Sequence, residues 1–445
     1  MTAPPTASTV SGAIMRILHL ADLHLGRALG ELSREAEQRA LVNEIITLAD
    51  ELDVAATLIA GDVFDAFTPP AWAEDLFFEL LDGLAAGGTR AVLVIAGNHD
   101  SGLRLAAAEP LARRLGIVLA GEVGEPIRSF DGGGGRVKIT ALAPQVARVE
   151  IPGADAPLTC GLLPFLSEAR VARTDEGALA DLRADTARYG QRLEAELAAR
   201  AALLSPDSVR VLLMHQFLSG GAPSDSERRL RILAPYDLAA SALPAGLDYI
   251  ALGHLHRPQS VSGSPSPAVY SGSPIAYSFS ESGQPKRAVL IDAAPGRPAT
   301  ISSVPLSSGR PLEIWMVKSI DEAVARARAA ELASPIVDVR IDLGRALPPA
   351  EADLLFGLGR GGTPFLPGVT VLSVRDLHDP RHRALDAGAA GDNPELSVEE
   401  LFRELWSRRH GEPPDEEIVA ELMDALLTSS REEETEARPE LEAGG

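Results

Sequence analysis

Five of the nine histidines in this 445-residue chain fall in short polar clusters that follow apolar runs. The clusters are Asp22 and His24 in "ADLHLG", Asp62 in "AGDVFD", Asn98, His99 and Asp100 in "AGNHDS", His215 in "LLMHQF", and His254 and His256 in "LGHLHR". Carboxylates, imidazoles and one amide oxygen, with no thiolate, suit borderline-hard divalent ions such as manganese, iron or zinc rather than a cysteine-rich structural zinc. Taken singly, each cluster says little. A lone His at a strand end is commonly a satisfied structural side chain, and Gly-Asp or Gly-Asn after a strand is commonly a turn. Taken jointly, five strands would have to finish independently in ligand-type residues, and burying that many polar groups without a strong partner is costly. The donor number suits two ions, with one Asp bridging, because a shared carboxylate offsets the repulsion between dications roughly 3.5–4 Å apart.

These residues are spread over 235 positions, so the fold has to gather them. From "MRILHLA" (15–21) to "RAVLIDA" (287–293), short apolar strands alternate with helical periods. The strands expected between these are "ATLIAGD" (56–62), "AVLVIAGN" (91–98), "RVLLMHQ" (210–216), "YIALGHLH" (249–256) and "AVYSGSP" (268–274). Leu41, Ile45, Leu48 and Leu52 repeat at helical spacing, as do Trp72, Leu76 or Phe77, Leu80 and Leu84. Strands alternating with amphipathic helices indicate an α/β core, and near-continuous apolar strands indicate sheets covered on both faces. In open α/β sheets the ligand crevice lies beyond the carboxyl ends of the strands, where these clusters fall. "DGGGGR" (131–136) reads as a turn between strands, and residues 167–204 read as a helical surface elaboration.

A second unit follows: "LEIWMVKS", "IVDVRIDL" and "GVTVLSVRDL" are strands around the helix "IDEAVARARAAEL", a small α+β domain. Residues 380–394 read as a linker. Ser397 and Glu400 can form a capping box, and Val398, Leu401, Phe402, Leu405 and Trp406 fall on one helical face. A second amphipathic stretch carries Ile418, Leu422, Ala425 and Leu426 after Asp415 as N-cap. On pattern alone, this pair of helices docks equally well on its own domain or on a partner.

The single cysteine, Cys160, excludes an intrachain disulfide and suits a reducing compartment. No run of about 18 apolar residues occurs, so no membrane span is expected. Residues 1–14 lack the features of a secretory signal and read as a flexible extension, which gives a cytoplasmic expectation. The net charge of -22 argues against a generally basic, sequence-blind nucleic-acid binder. Half of that charge, however, sits in the last 51 residues, which hold 16 acidic and 5 basic side chains, while residues 101–150 and 251–300 are each +2.

In this order, D-x-H, G-D, G-N-H-D, H and G-H-x-H resemble the signature of the calcineurin-like metallophosphoesterases. The resemblance implies a four-layer α/β/β/α domain. It also implies that Asp22, His24, Asp62 and His256 hold one ion, that Asp62, Asn98, His215 and His254 hold the other, and that Asp62 bridges. His99 is then no ligand but acts on the phosphate, a role worth about 10²–10⁴-fold in rate. Asp100 is expected to orient His99.

Further stretches, "MRILHLADLHLGR", "LLPFLSEARV", "GGAPSDSER" and "YSGSPIAYSFSE" among them, resemble the bacterial SbcD family of nuclease subunits over nearly the whole chain from Met15. Leu23 departs from that pattern at a non-ligand position. The N-terminal extension, the glycine run 132–135 and the acidic tail 431–445 lie outside it.

By this resemblance the chain is a manganese-dependent 3′ to 5′ exonuclease on duplex DNA ends and an endonuclease on single strands and hairpins. It would act in DNA repair, recombination and replication, and associate with the nucleoid when on DNA. The implied organisation is a nuclease domain at 15–305, a DNA-capping domain at 306–379 and a helical segment at 395–430. That segment would grip the coiled coil of an SbcC-type ATPase, so the face from Val398 to Trp406 is expected to meet the ATPase. Pairing of two nuclease domains implies a homodimer and a two-plus-two complex. Arg27, Arg104 and Arg257 follow metal motifs and are candidates for contact with DNA phosphates. The same ligands would serve a small-molecule or nucleotide phosphodiesterase, but the stretches outside them speak against it. A non-catalytic scaffold is disfavoured because no ligand is missing and His99 is present.

Overall fold

The computed structural model describes residues 14–166, 182–224, 238–330, 332–356 and 369–378, with Arg403, Trp406, Pro414, Asp415, Ile418 and Val419. Two compact units divide after Glu313. The first contains strands β1 (Met15–Leu20), β2 (Ala56–Ala60), β3 (Ala91–Ile95), β4 (Ile117–Ala120), β5 (Phe130–Asp131), β6 (Lys138–Ala143) and β7 (Val146–Glu150). It continues with β8 (Leu158–Leu163), β9 (Val209–His215), β10 (Tyr249–Gly253), β11 (Gln259–Ser260), β12 (Ala268–Tyr270), β13 (Arg287–Ala294) and β14 (Arg297–Pro305). Its helices are α1 (Glu35–Glu51), α2 (Ala71–Ala85), the short α3 (Gly102–Ala106) and α4 (Glu109–Ala112), and α5 (Leu182–Ala201).

The strands form two sheets, six-stranded in the order β14-β13-β1-β2-β3-β4 and eight-stranded in the order β11-β12-β10-β9-β8-β7-β6-β5. Strands β1 to β4 are mutually parallel, as are β8, β9, β10 and β12. Alternate residues of each strand enter different cores. Ile17, Leu58, Leu93 and Ile95 meet Val211, Leu213, Tyr249 and Ala251 in the layer between the sheets. Leu18, Ile59, Val92 and Val94 pack on Leu41, Ile45, Leu76, Phe77 and Leu80 of α1 and α2. Leu212, Met214, Ile250 and Leu252 pack with Tyr189, Leu193 and Leu197 of α5. Burial on both faces explains the near-continuous apolar runs. The layers are α/β/β/α, the expected architecture.

Helix α5 is more than surface elaboration, because it covers the second sheet as the outer layer. Its apolar stripe of Tyr189, Leu193 and Leu197 is diluted by alanines and charges. Arg200 pins the helix, with Nε donating to Leu162 O at 2.7 Å and Nη2 to Gln145 Oε1 at 2.7 Å. The glycine run makes the expected turn between β5 and β6. There Gly133, Gly134 and Gly135 all take positive φ, and the Gly133 N–H donates to Asp131 Oδ1 at 2.9 Å.

The division falls after Glu313 rather than at the expected 305 because the intervening residues are tied to α1. The amides of Ser307 and Ser308 donate to the Glu44 carboxylate, and the amide of Arg310 donates to Glu37. The second unit takes up β15 (Leu312–Val317) from Ile314 and β16 (Ile336–Ile341) from Val337, and these form a three-stranded sheet with β17 (Thr370–Asp376). Helices α6 (Ile320–Ala330) and α7 (Pro349–Leu355) complete this unit, whose core holds Trp315, Ala323, Ala327, Val337, Val339, Ile341 and Leu355.

Residues 1–13, the linker 380–394, Val398, Leu401, Phe402, Leu405 and the tail 431–445 lie outside the described residues. Trp406 is helical and half-buried. The amides of Ile418 and Val419 both reach Asp415 O, as expected for a helix opening there. Among the described residues no helix is long and apolar enough to cross a membrane.

Candidate metal centre

The parallel strands β1, β2 and β3 of one sheet and the parallel pair β9 and β10 of the other bring the residues at their carboxyl ends together. Glycine allows the sheets to close there. A Cβ on Gly253 would lie 1.8 Å from Ala60 O, and one on Gly97 would lie 2.1 Å from Asp62 Oδ1.

Beyond the strands, Asp22, His24, Asp62 and His254 take left-handed backbone, with φ of 54°, 42°, 49° and 103°. Non-glycine residues adopt this region at a cost of order 1–3 kcal/mol, and it clusters at functional sites. Hydrogen bonds hold it here: Asp22 N–H to Gly61 O and His24 N–H to Asp62 O, each 3.0 Å, and His254 N–H to Asp22 Oδ1 at 2.9 Å.

All seven side chains expected as ligands come together. His24 Nε2 and His256 Nε2 face each other at 3.0 Å. Asp62 Oδ2 lies 3.6 Å from His24 Nε2 and 3.4 Å from His215 Nε2, between the two groups. Asn98 Oδ1 is 3.0 Å from both His215 Nε2 and His254 Nδ1. Asp22 Oδ2 is buried without a hydrogen-bond donor. A donor-less buried carboxylate oxygen and imidazole nitrogens turned toward one another are groups that divalent cations satisfy together. Two fully buried sets, Asp22–His24–His256 and Asp22–Asp62–His215, each place their donor atoms within 4.8 Å of one another, as does a third, less buried set, His24–Asp65–His99. The residues therefore fit a pair of ions.

Electrostatics sorts these groups. Burial pushes Asp22 up to about 7 and drives His24 and His254 down to about 3, so these imidazoles stay neutral with lone pairs free to ligate. Burial also opposes ionisation of Asp62, but His215, His99 and His24 outweigh it and hold that carboxylate well below its ordinary value. The reciprocal effect on His215 overcomes burial and raises it to about 9.

Expectation and structure part at Asp100. Its carboxylate does not hold the His99 ring; it accepts the backbone N–H groups of Gly97 at 2.8 Å, Val63 at 3.1 Å and Phe64 at 2.8 Å. Asp100 therefore clamps the segment carrying Asp62 to the one carrying Asn98 and His99, and burial with Asp62 nearby pushes it up to about 6. The half-buried His99 ring is instead anchored by Asp65, whose carbonyl oxygen accepts from Nδ1 at 2.9 Å.

Two carboxylates escaped the sequence reading. Asp65 places Oδ1 3.4 Å from His24 Nδ1 and 3.2 Å from Arg27 Nη1. Glu281, fully buried, places Oε1 3.3 Å from His256 Nδ1 and is paired with Lys286. The available signals were an acid three residues after Asp62 and the unexplained Glu in "SFSE". Arg27 stacks over Tyr277 at 5.2 Å beside this cluster. Arg104 is engaged by Glu74 at 2.8 Å, and Arg257 is exposed.

Residues 15–258 match the family model described as calcineurin-like phosphoesterase. The chain is 34% identical over 428 residues to the SbcD subunit of nuclease SbcCD from Bacillus subtilis strain 168, covering 94% of this chain and 99% of that relative. The SbcD subunit of Rhodobacter capsulatus is 33% identical over 67% of this chain and 73% of its own. That of Escherichia coli K12 is 30% identical over 87% and 92%.

Proposed function

Because the chain belongs to the calcineurin-like phosphoesterases and, within them, to the SbcD family of SbcCD nuclease subunits, we propose that it hydrolyses DNA phosphodiesters as the nuclease half of a complex with an SbcC-type coiled-coil ATPase. It is a hydrolase, a two-metal phosphodiesterase nuclease. The observation that carries this reading is the convergence of seven donors from five strand ends, among them the donor-less Asp22 Oδ2.

Asp22, His24, Asp62 and His256 would hold one ion, and Asp62, Asn98, His215 and His254 the other, with manganese the metal this reading assigns. When bound, the ions supply Lewis acidity, lowering the pKa of an attacking water and offsetting charge on the phosphate. The chain's own groups supply the rest. With Nδ1–H donated to Asp65 O, His99 is left with Nε2 as the nitrogen that exchanges a proton with the departing 3′ oxygen. Asp100 fixes the two ligand-bearing segments in register. Arg27, held by Asp65 and Tyr277, contacts a DNA phosphate, with exposed Arg257 as a second contact; Arg104 is taken up by Glu74 instead.

The small domain caps the DNA, and the terminal helical face that includes Trp406 meets the ATPase. Two chains pair through the surface of α2 and α3. Exposed Phe78, one turn beyond Glu74, and exposed Leu103, next to Arg104, flank the Glu74–Arg104 ion pair there, which supports an isologous contact. This reading places the protein in the cytoplasm, on the nucleoid when bound to DNA.

The test is manganese-dependent digestion of end-labelled duplex and hairpin DNA, with and without the ATPase. Wild type should cut both substrates and His99→Gln should not. Hydrolysis of small phosphodiesters with no DNA cleavage under any condition would sink the nuclease reading. Deleting residues 395–445 should abolish co-purification with the ATPase, and unchanged binding would put that contact elsewhere.

A further inference from the structure

The imidazoles of the metal centre are not backed alike. His24 and His256, which face each other through Nε2, each turn Nδ1 toward a carboxylate: Asp65 Oδ1 at 3.4 Å and Glu281 Oε1 at 3.3 Å. Both acids are held as anions by cationic or donor neighbours. Arg27 Nη1 lies 3.2 Å from Asp65 Oδ1, while Glu281 is paired with Lys286 and accepts Ser273 Oγ–H at 3.0 Å and Tyr277 N–H at 3.2 Å. His215 is treated differently, since its Nδ1–H donates to a neutral acceptor, Ala60 O, at 2.8 Å. His254 faces the site through Nδ1, 3.0 Å from Asn98 Oδ1, and among the described residues no carboxylate backs its other nitrogen.

A carboxylate behind an imidazole fixes its tautomer and also makes the ring more basic, hence a stronger ligand; a carbonyl fixes the tautomer without contributing a full charge. The exclusive donors differ in charge in the same direction: Asp22 on one side, neutral Asn98 on the other. We propose that the position gathered by Asp22, His24 and His256 binds a divalent cation more tightly than the one gathered by Asn98, His215 and His254. Asp65 and Glu281 are the positioning residues that set the difference, so the two positions fill in order. The ordering rests on the two-ion reading of the site.

The test is calorimetric titration of manganese into the metal-stripped full-length chain. Wild type should show two steps separated by at least about tenfold. Asp65→Asn, at a partly exposed side chain, should weaken the tighter step about 10–100-fold and leave the weaker one unchanged. Glu281→Gln should do the same. Because Glu281→Gln removes the ionic partner of half-buried Lys286 and can fail to fold, thermal unfolding of each metal-free variant accompanies the titration, and Asp65→Asn alone suffices for the decision. Two steps of equal affinity in wild type, or an Asp65→Asn chain whose weaker step alone is lost, would overturn the ordering. No manganese uptake at all would overturn the metal-centre reading together with it, a result distinct from two equal sites.

Discussion

Each unit of the chain buries a carboxylate completely, and the two are treated in opposite ways. Asp338 in β16 is surrounded by donors from its own sheet: Arg340 Nε at 3.0 Å, Arg375 Nε at 3.5 Å and the Ser373 hydroxyl. Asp22, just past β1, has one oxygen on the His254 N–H and the other without a donor, among imidazoles and beside a second carboxylate, Asp62. A buried charge without a partner costs several kcal/mol, and breaking a completed pair costs a similar amount. The first carboxylate is finished by the protein itself and is structural. The second requires a cation from outside, and that difference separates a polar core from a site.

The largest expected effects fall on the incomplete side. His99→Ala should lower DNA cleavage about 10²–10⁴-fold while manganese uptake stays at the wild-type level, since His99 acts on the phosphate and not on the ions. A parallel loss of uptake would place His99 among the ligands.

On the completed side, Asp338→Ala removes a buried acceptor shared by two partly exposed arginines and a serine, and should destabilise the small unit by about 1–3 kcal/mol, read by thermal unfolding. Cys160, buried between the sheets with its thiol pushed up by burial, should stay unreactive to thiol reagents in that variant. Labelling of Cys160 would show that the two units unfold as one.

A third effect separates the two carboxylates by sign. Asp22→Asn should stabilise the metal-free chain even though it weakens manganese binding. Burial raises Asp22 from its ordinary 3.8 to about 7, so the folded chain keeps a proton that the unfolded chain releases. Ionised Asp22 therefore lowers stability increasingly as pH rises from about 4 to about 7. The benefit of Asp22→Asn should grow over that window and level off above it. A destabilising Asp22→Asn across the whole range would mean that Asp22 is satisfied internally, as Asp338 is.

Much of this was legible in the sequence because β1, β2, β3, β9 and β10 are buried on both faces and end abruptly in donors. Strand β8, "LTCGLL", is just as buried, but Thr, Cys and Gly interrupt its apolar character. Strands β6 and β7 are half-exposed in part and carry no such run. Helix α5 concealed its three-residue stripe among alanines. The seven donors could be read from strand ends, but their supports could not. Glu281 reaches His256 across 25 residues, and nothing in its spacing marks that contact. Adjacency misled at Asp100, where the chain turns the carboxylate inward onto backbone amides instead of toward the neighbouring ring.

Counting manganese ions bound per purified chain in wild type, Asp62→Ala and Asp338→Ala distinguishes the incomplete carboxylate cluster from the completed one. Two ions in wild type and in Asp338→Ala, with fewer in Asp62→Ala, is the predicted result. No bound ion in wild type, or an unchanged count when Asp62 is removed, would contradict it.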